Sequence, residues 1–390
     1  MNGTRARGSE GAAAGRAAAG LERPGPVLAP RAPRLAERPT VIRQPRRWFY
    51  ALWIAGLVVL FCLHFPHLLA DFPNDSPWMD YAKYTDEGWY GNAAVRHALT
   101  GHWSLQGDFN PAVALPVWPL LLAGVFHFTG VSLGADRSLA LIFFGLDLLL
   151  AYSVVRSQAE RWAALLAVTL LATSPFLWAF SRLAILESPL VFFLLLSWLL
   201  ALRLPRTAPR WRTAMLAGIG LLLCLMVLTK TTAVFLIPSS LFLVARAWTR
   251  RREAVRALGI CGAAAALPWC AWYFLAVRPH YRVDYRYFFE ANRWPQTATL
   301  GGWAGSFWWA LHGCFWISPA ICIVAIAVLL LALFRRNGPA LVVIGSRFPA
   351  GLYASPLTPA SLLAIAGYVA FIGWHNNPQP RYYEVVIYPV

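Results

Sequence analysis

The sequence predicts an all-α polytopic membrane protein, and three observations carry that prediction. Of its 390 residues, 58% are hydrophobic, and 19 are tryptophan. Mean hydropathy is positive, at +0.52. Apolar runs of about 18 residues or more recur along the chain, the length that crosses a bilayer as a helix. Only helices and closed barrels satisfy the backbone in lipid, and barrel strands would alternate where these runs do not.

The formal net charge of +17 raises the question of nucleic acid, and its distribution answers it. Arginines gather in the N-terminal tail and in short loops between apolar runs, the pattern of cytoplasmic loops in a membrane protein. The bilayer, not a nucleic acid, is the partner this charge implies. The six cysteines, Cys62, Cys224, Cys261, Cys270, Cys314 and Cys322, lie in or beside apolar runs without metal-ligand spacing. They read as small buried hydrophobes.

Residues 1–47 are rich in Ala, Gly, Pro and Arg and show no apolar period, so they read as a disordered basic tail. The tail lacks the layout of a cleaved signal peptide and is expected to stay cytoplasmic. Residues 48–390 form the membrane domain. Tyr50–Leu69 is the first span, running outward from Arg43–Arg47. The loop 71–136 then carries seven acids (Asp71, Asp75, Asp80, Asp86, Glu87, Asp108, Asp136) against Lys83 and Arg96, which places it on the external side.

Three basic loops fix the remaining topology: Arg203, Arg206, Arg210 and Arg212; Arg246, Arg250, Arg251, Arg252 and Arg256; Arg335 and Arg336. Spans at 138–155, 162–180, 188–202, 213–229, 232–248, 256–276, 313–334 and 358–374 put all three inside only if 111–128 does not cross. That proline-broken stretch is therefore expected as a re-entrant or interfacial helix pair. The external side then receives Ser181–Glu187, Lys230, residues 278–312 and residues 376–381. The chain stops in the apolar stretch EVVIYPV, which reads as a span begun and left unfinished, as in a piece truncated at its C-terminus.

Within the external loop, Tyr84–Trp103 reads YTDEGWYGNAAVRHALTGHW and organises the rest. Tyr90 follows Asp86 by four residues and Glu87 by three, which sets them on neighbouring stripes of one helix. Thr85 or Asp86 suits the N-cap and Gly101 the stop. The positive end of a helix dipole favours a negative charge, so Asp86 is poised to act as a base. Arg182, Glu187, Lys230 and Arg381 fall on the same side. For each, anchoring at a span end is the competing role.

Two carboxylates and several cations at the external surface, with no phosphate-binding glycine loop and no zinc-protease pattern, suit a particular chemistry. Sugar nucleotides are cytoplasmic, so an external transferase needs a donor already carried across the bilayer, such as a sugar on a polyprenyl phosphate. A carboxylate would deprotonate the acceptor hydroxyl, and Arg or Lys would neutralise the departing lipid phosphate. Trp89, Tyr90, Trp103, Trp294 and Trp303 suit sugar faces or interfacial anchoring. A lipid-linked-sugar flippase or secondary transporter is the competing class. Transporters place ionisable groups at the bilayer midplane, often in inverted repeats, whereas here they gather at one surface.

TDEGWYGNAAVRHALTGHW resembles the first external loop of the GT-C superfamily of lipid-linked-sugar glycosyltransferases. The nearest branches are the protein O-mannosyltransferases and the transferases that add aminoarabinose to lipid A (glycosyltransferase families 39 and 83). SPFLWAFSRLAILESPLVFFLLL resembles their second external loop and following span. VLTKTT resembles their Leu-Thr-Lys turn, YFFEANRW an aromatic external segment ending in Arg, and RYYEVVIYP an Arg-Tyr turn before a late span. The resemblance implies a GT-C-like helical bundle whose first external loop bears juxtamembrane helices.

It further implies an inverting transferase of the plasma (inner) membrane, working on its external or periplasmic face. The donor is a polyprenyl-phosphate sugar, and the acceptor a protein, lipid or polysaccharide. Asp86 would be the catalytic base with Glu87 beside it. Lys230, Arg293, Arg381 and Tyr90 would bind donor phosphate or sugar, and Arg182 and Glu187 would brace the site. Two departures bear on substrate and metal. Phe109-Asn110-Pro111 stands where aminoarabinose transferases carry Glu-Lys before proline, and Ala291-Asn292 where they carry His before the loop Arg. No cofactor is implied, and a divalent metal, with His280 and His312 as the available ligands, is not favoured.

Overall fold

Apolar runs bounded by prolines, glycines and basic pairs set the helices of this chain. A computed structural model describes residues 47–70, 80, 86–105, 114–290, scattered positions between 301 and 313, 318–334, 355–375 and 379–389. α1 (Arg47–Cys62) gives way to turns that run to Leu69. α2 (Asp86–Thr100) ends at Gly101, whose φ of 76° is the left-handed stop that glycine adopts without steric cost. Its N–H still reaches the His97 carbonyl at 2.9 Å. α3 (Val117–Thr129) stops the same way at Gly130, and α4 (Leu133–Gln158) starts on Ser132, whose hydroxyl accepts from the Ala135 N–H at 3.1 Å.

α5 (Arg161–Ala172) and α6 (Pro175–Phe180) follow. α7 (Glu187–Arg203) and α8 (Pro209–Thr229) are joined through a 3-10 turn, Leu204–Arg206. A second 3-10 turn, Thr231–Phe235, precedes α9 (Ile237–Arg246). α10 (Arg251–Trp272) continues through a π turn, Tyr273–Val277, into α11 (Arg278–His280), and α12 is Arg282–Glu290. α13 (Pro319–Phe334), α14 (Leu357–Trp374) and α15 (Tyr382–Ile387) complete the described helices.

Among the described residues, five helical stretches are long and apolar enough to cross a membrane: Leu133–Gln158, Glu187–Arg206, Pro209–Thr229, Arg251–His280 and Leu357–Trp374. Four others, Arg47–Cys62, Val117–Thr129, Arg161–Ala172 and Thr231–Arg246, are apolar but shorter. The expected single span over 162–180 is instead two helices. Ser174 caps α6 with its hydroxyl, and Pro175 opens it, because proline lacks the N–H a continuing helix needs. Of the expected helix pair at 111–128, the described residues hold α3, and residues 106–113 lie outside the description. At 13 residues α3 is about 20 Å long, short of a bilayer core.

α7 is the axis of the bundle and packs against α4, α8, α9 and α15. Leu190, Val191, Leu194, Leu195 and Trp198 are buried along it. Trp198 Nε1 donates to Ser239 Oγ at 3.1 Å, and the Ser197 and Ser240 hydroxyls meet at 2.8 Å. Lipid tails offer no hydrophobic drive between helices, so such polar contacts and close packing hold them, at about 0.6–2 kcal/mol per hydrogen bond. The α8–α10 crossing shows the packing side. A Cβ on Gly220 would lie 2.3 Å from the Cys261 carbonyl oxygen, so only glycine permits that approach. α7 therefore holds its N-terminal end, which begins at Glu187, in a fixed place against α8 and α15.

Candidate functional site at the ends of α2, α7 and α8

Charges sit where the helix dipoles favour them. Asp86 is the first residue of α2, Glu187 the first of α7, and Lys230 the C-cap of α8. Arg381 directly precedes α15. Packing of α15 on α7 and α8 against α7 brings these ends together.

Arg381 is the hub and is 6% exposed. Its Nη2 lies 2.6 Å from Asp86 Oδ2 and its Nε 3.7 Å from Glu187 Oε1. Its Nη1 is hydrogen-bonded to Asp80 Oδ1, and its backbone N–H donates to Asp80 Oδ2 at 2.9 Å. Lys230 Nζ donates to Glu187 Oε1. The Tyr382 ring faces both cations, with Lys230 Nζ 4.8 Å and Arg381 Cζ 5.0 Å from its centroid. Burial opposes the Arg381 charge, but Tyr382, Tyr90, Asp80 and Glu187 outweigh it and push the guanidinium pKa further up. Tyr90 belongs to the same field: burial, then Asp86, raises its hydroxyl well above the usual range. It stays a neutral hydrogen-bonding group at physiological pH.

Glu87, next to Asp86 in sequence, belongs to a different network. Its two carboxylate oxygens take Arg137 Nε at 2.8 Å and Arg137 Nη2 at 2.7 Å. Oε1 also accepts the Ala184 N–H at 2.8 Å. Arg137 Nη1 in turn donates to the Leu68 carbonyl at 3.0 Å. This bidentate clamp ties α2 to α4 and to the loop before α7.

Of the expected site residues, the structure gathers Asp86, Tyr90, Glu187, Lys230 and Arg381. It places Glu87 beside them in its clamp, and it keeps Arg182 apart on the carbonyls of Trp178 and His67, at 3.1 and 2.6 Å. Arg293 lies outside the described residues, as do Trp294 and Trp303. Asp80 and Tyr382 join the cluster without having been singled out. Asp80 was one of seven acids in its loop, and nothing local distinguishes it. Tyr382 stood in the quoted RYYEVVIYP turn, which was the available signal. Among the described residues no group of three or more His, Cys, Asp or Glu side chains is arranged to hold a metal. His280 is exposed beside Tyr281, and His312 stacks at 6.1 Å on Trp308.

The arrangement holds three carboxylates against two cations. An arriving anion would compete with Asp86 for the Arg381 fork and leave that carboxylate available. Residues 120–279 match the family model for dolichyl-phosphate-mannose-protein mannosyltransferase. The fold is similar to that of ArnT from Cupriavidus metallidurans, solved bound to undecaprenyl phosphate, with a TM-score of 0.58 at 14% identity. It is also similar to the Archaeoglobus fulgidus oligosaccharyltransferase tethered to an acceptor peptide, with a TM-score of 0.50 at 15% identity. Each match covers 88% of this chain, which spans 59% of the first protein and 49% of the second. Curated proteins offer no match. The chain therefore shares its fold with these two membrane proteins, and its residues 120–279 resemble the mannosyltransferase family.

Proposed function

We propose that the protein transfers a sugar from a polyprenyl-phosphate donor to an acceptor hydroxyl, with inversion at the anomeric carbon. The donor phosphate meets Arg381 and Lys230, displacing Asp86 from the guanidinium. Asp86 takes the acceptor proton, the acceptor oxygen bonds to the anomeric carbon, and the bond from that carbon to the phosphate oxygen breaks. The electron pair leaves on the polyprenyl phosphate, where the two cations balance it. Tyr90 orients donor or acceptor through its neutral hydroxyl. Glu187 sets the Lys230 ammonium, and Asp80 sets the Arg381 fork. Glu87 positions α2 and does not touch substrate in this scheme.

The observation that carries the reading is the ion-paired hub, in which Asp86 and Glu187 share Arg381 at 2.6 and 3.7 Å. The undecaprenyl phosphate bound to the similar ArnT supports the donor class. The acid-rich loop supports the external face of the plasma membrane, with the N-terminus cytoplasmic. No metal takes part in the proposed chemistry. The acceptor is a protein, a lipid or a polysaccharide.

Purified protein in liposomes, given labelled polyprenyl-phosphate sugars and a panel of these acceptors, should yield a product heavier by one sugar. Movement of the donor between leaflets with no transfer would replace this reading with a flippase.

A further inference from the structure

Arg182 is also a buried cation, and its surroundings differ from those of Arg381. The side chain is 7% exposed. Its Nε and Nη1 are spent on the Trp178 and His67 carbonyls. No carboxylate pairs with it among the described residues. Burial, and then the like charge of Arg137, pulls its pKa below the usual arginine range. A guanidinium taken out of water without a counter-charge is costly, so an anion seated beside it would be stabilised.

The groove beside it has room for one. A cavity of about 450 Å³ is lined by Leu60, Ala172, Thr173, Pro175, Trp178 and Ala179, with Arg182 on its wall. It opens where α5 breaks into α6 and where α1 ends. Thr173 and Pro175 are exposed at its lip, and Leu63 and Phe65 are exposed on the turns that follow α1. The walls suit a hydrocarbon chain, and the one strong polar group is a guanidinium whose Nη2 is taken by neither carbonyl and can donate to a phosphate oxygen. Trp178 supplies the amphipathic ring typical of the headgroup level.

We propose that this groove holds an anionic phospholipid of the surrounding leaflet, its phosphate on Arg182 and one acyl chain along Leu60, Ala172 and Trp178. The occupant is a bilayer lipid and not the sugar donor. Arg182 makes no contact with Asp80, Asp86, Glu187, Lys230 or Arg381, and α1, the outer wall, is largely exposed along its length. The proposal is independent of the transferase reading, since it concerns lipid retention and not turnover.

Native mass spectrometry of the detergent-purified protein tests it, with phosphatidylglycerol, phosphatidylcholine and a polyprenyl phosphate each titrated in. Wild type should retain phosphatidylglycerol over phosphatidylcholine. Arg182→Gln should weaken phosphatidylglycerol about tenfold, as loss of one charge-assisted contact implies, and weaken phosphatidylcholine, whose choline offsets its phosphate charge, by less. Thr173→Trp, which fills the lip and spares Arg182, should weaken it as well, and it decides the matter if the Arg182 variant does not fold. Equal retention of the two phospholipids by wild type, or undiminished phosphatidylglycerol binding in the folded variants, overturns the proposal. Displacement of phosphatidylglycerol by polyprenyl phosphate in wild type, lost in Arg182→Gln, would overturn it too and give the groove to the donor.

Discussion

Asp86 and Glu87 are adjacent acids in the first turn of one helix, and they face different tasks. Consecutive helical residues point about 100° apart. One carboxylate thus turns to the Arg381 hub and the other to Arg137 on α4. Glu87 has a bidentate guanidinium and a backbone N–H, all at 2.7–2.8 Å. Nothing in that clamp is left over for a substrate. Asp86 shares its cation with Asp80 and Glu187, so its partner can be satisfied without it. A carboxylate with a replaceable partner suits chemistry, whereas one with a closed set of partners suits architecture.

Exchanging either acid for its amide should separate the two tasks. The largest effect is expected from Asp86→Asn, with transfer falling about 10²–10⁴-fold, the usual worth of a general base. Membrane insertion and thermal unfolding should stay near wild type. Full transfer activity in that variant would remove Asp86 from the mechanism. Lys230→Gln should cost about 10²–10³-fold in kcat, as loss of one stabiliser of developing charge does. A change confined to KM would reassign Lys230 to ground-state binding.

Glu87→Gln should instead show in stability, by about 3 kcal/mol, because the buried Arg137 loses its bidentate pairing with a charged Glu87. Transfer per folded molecule should stay within a few-fold. The combined Glu87→Gln and Arg137→Gln variant should be less destabilised than the two single losses summed, a coupling that a thermal-unfolding cycle reads directly. An unaltered melting point with abolished transfer would make Glu87 catalytic and erase the contrast with Asp86. The smallest effect belongs to Tyr382→Phe, which keeps the ring that faces Lys230 and Arg381. Its kcat/KM should fall less than about threefold, since the cation–π attraction resides in the ring face. A larger loss would mean that the hydroxyl itself contacts substrate.

The helices were legible wherever a local rule governed them. Gly101 ended α2 as its position in the pattern suggested, and the apolar runs around 138–155, 188–202, 213–229, 256–276 and 358–374 all lie within the five long stretches. The break inside 162–180 was legible too, from Ser174-Pro175, but it competes with the run's overall apolarity and was outweighed by it. Charge placement in the sequence assigns Arg182 to the same end of the bundle as Glu187, Lys230 and Arg381. It does not say which way the side chain turns there, and Arg182 turns to His67 and Trp178.

The sequence by itself determined the class of protein, the apolar segments and the end of the molecule where its charges collect. Hydrophobic length, helix punctuation and arginine placement are local properties that need no partner to act. Tertiary structure alone decided the pairings, joining Asp80 to Arg381, Glu187 to Lys230 and Glu87 to Arg137. An ion pair depends on distance and desolvation between groups far apart in the chain. One more acid in a loop therefore cannot be told from its neighbours until the helices pack and bring a cation to it.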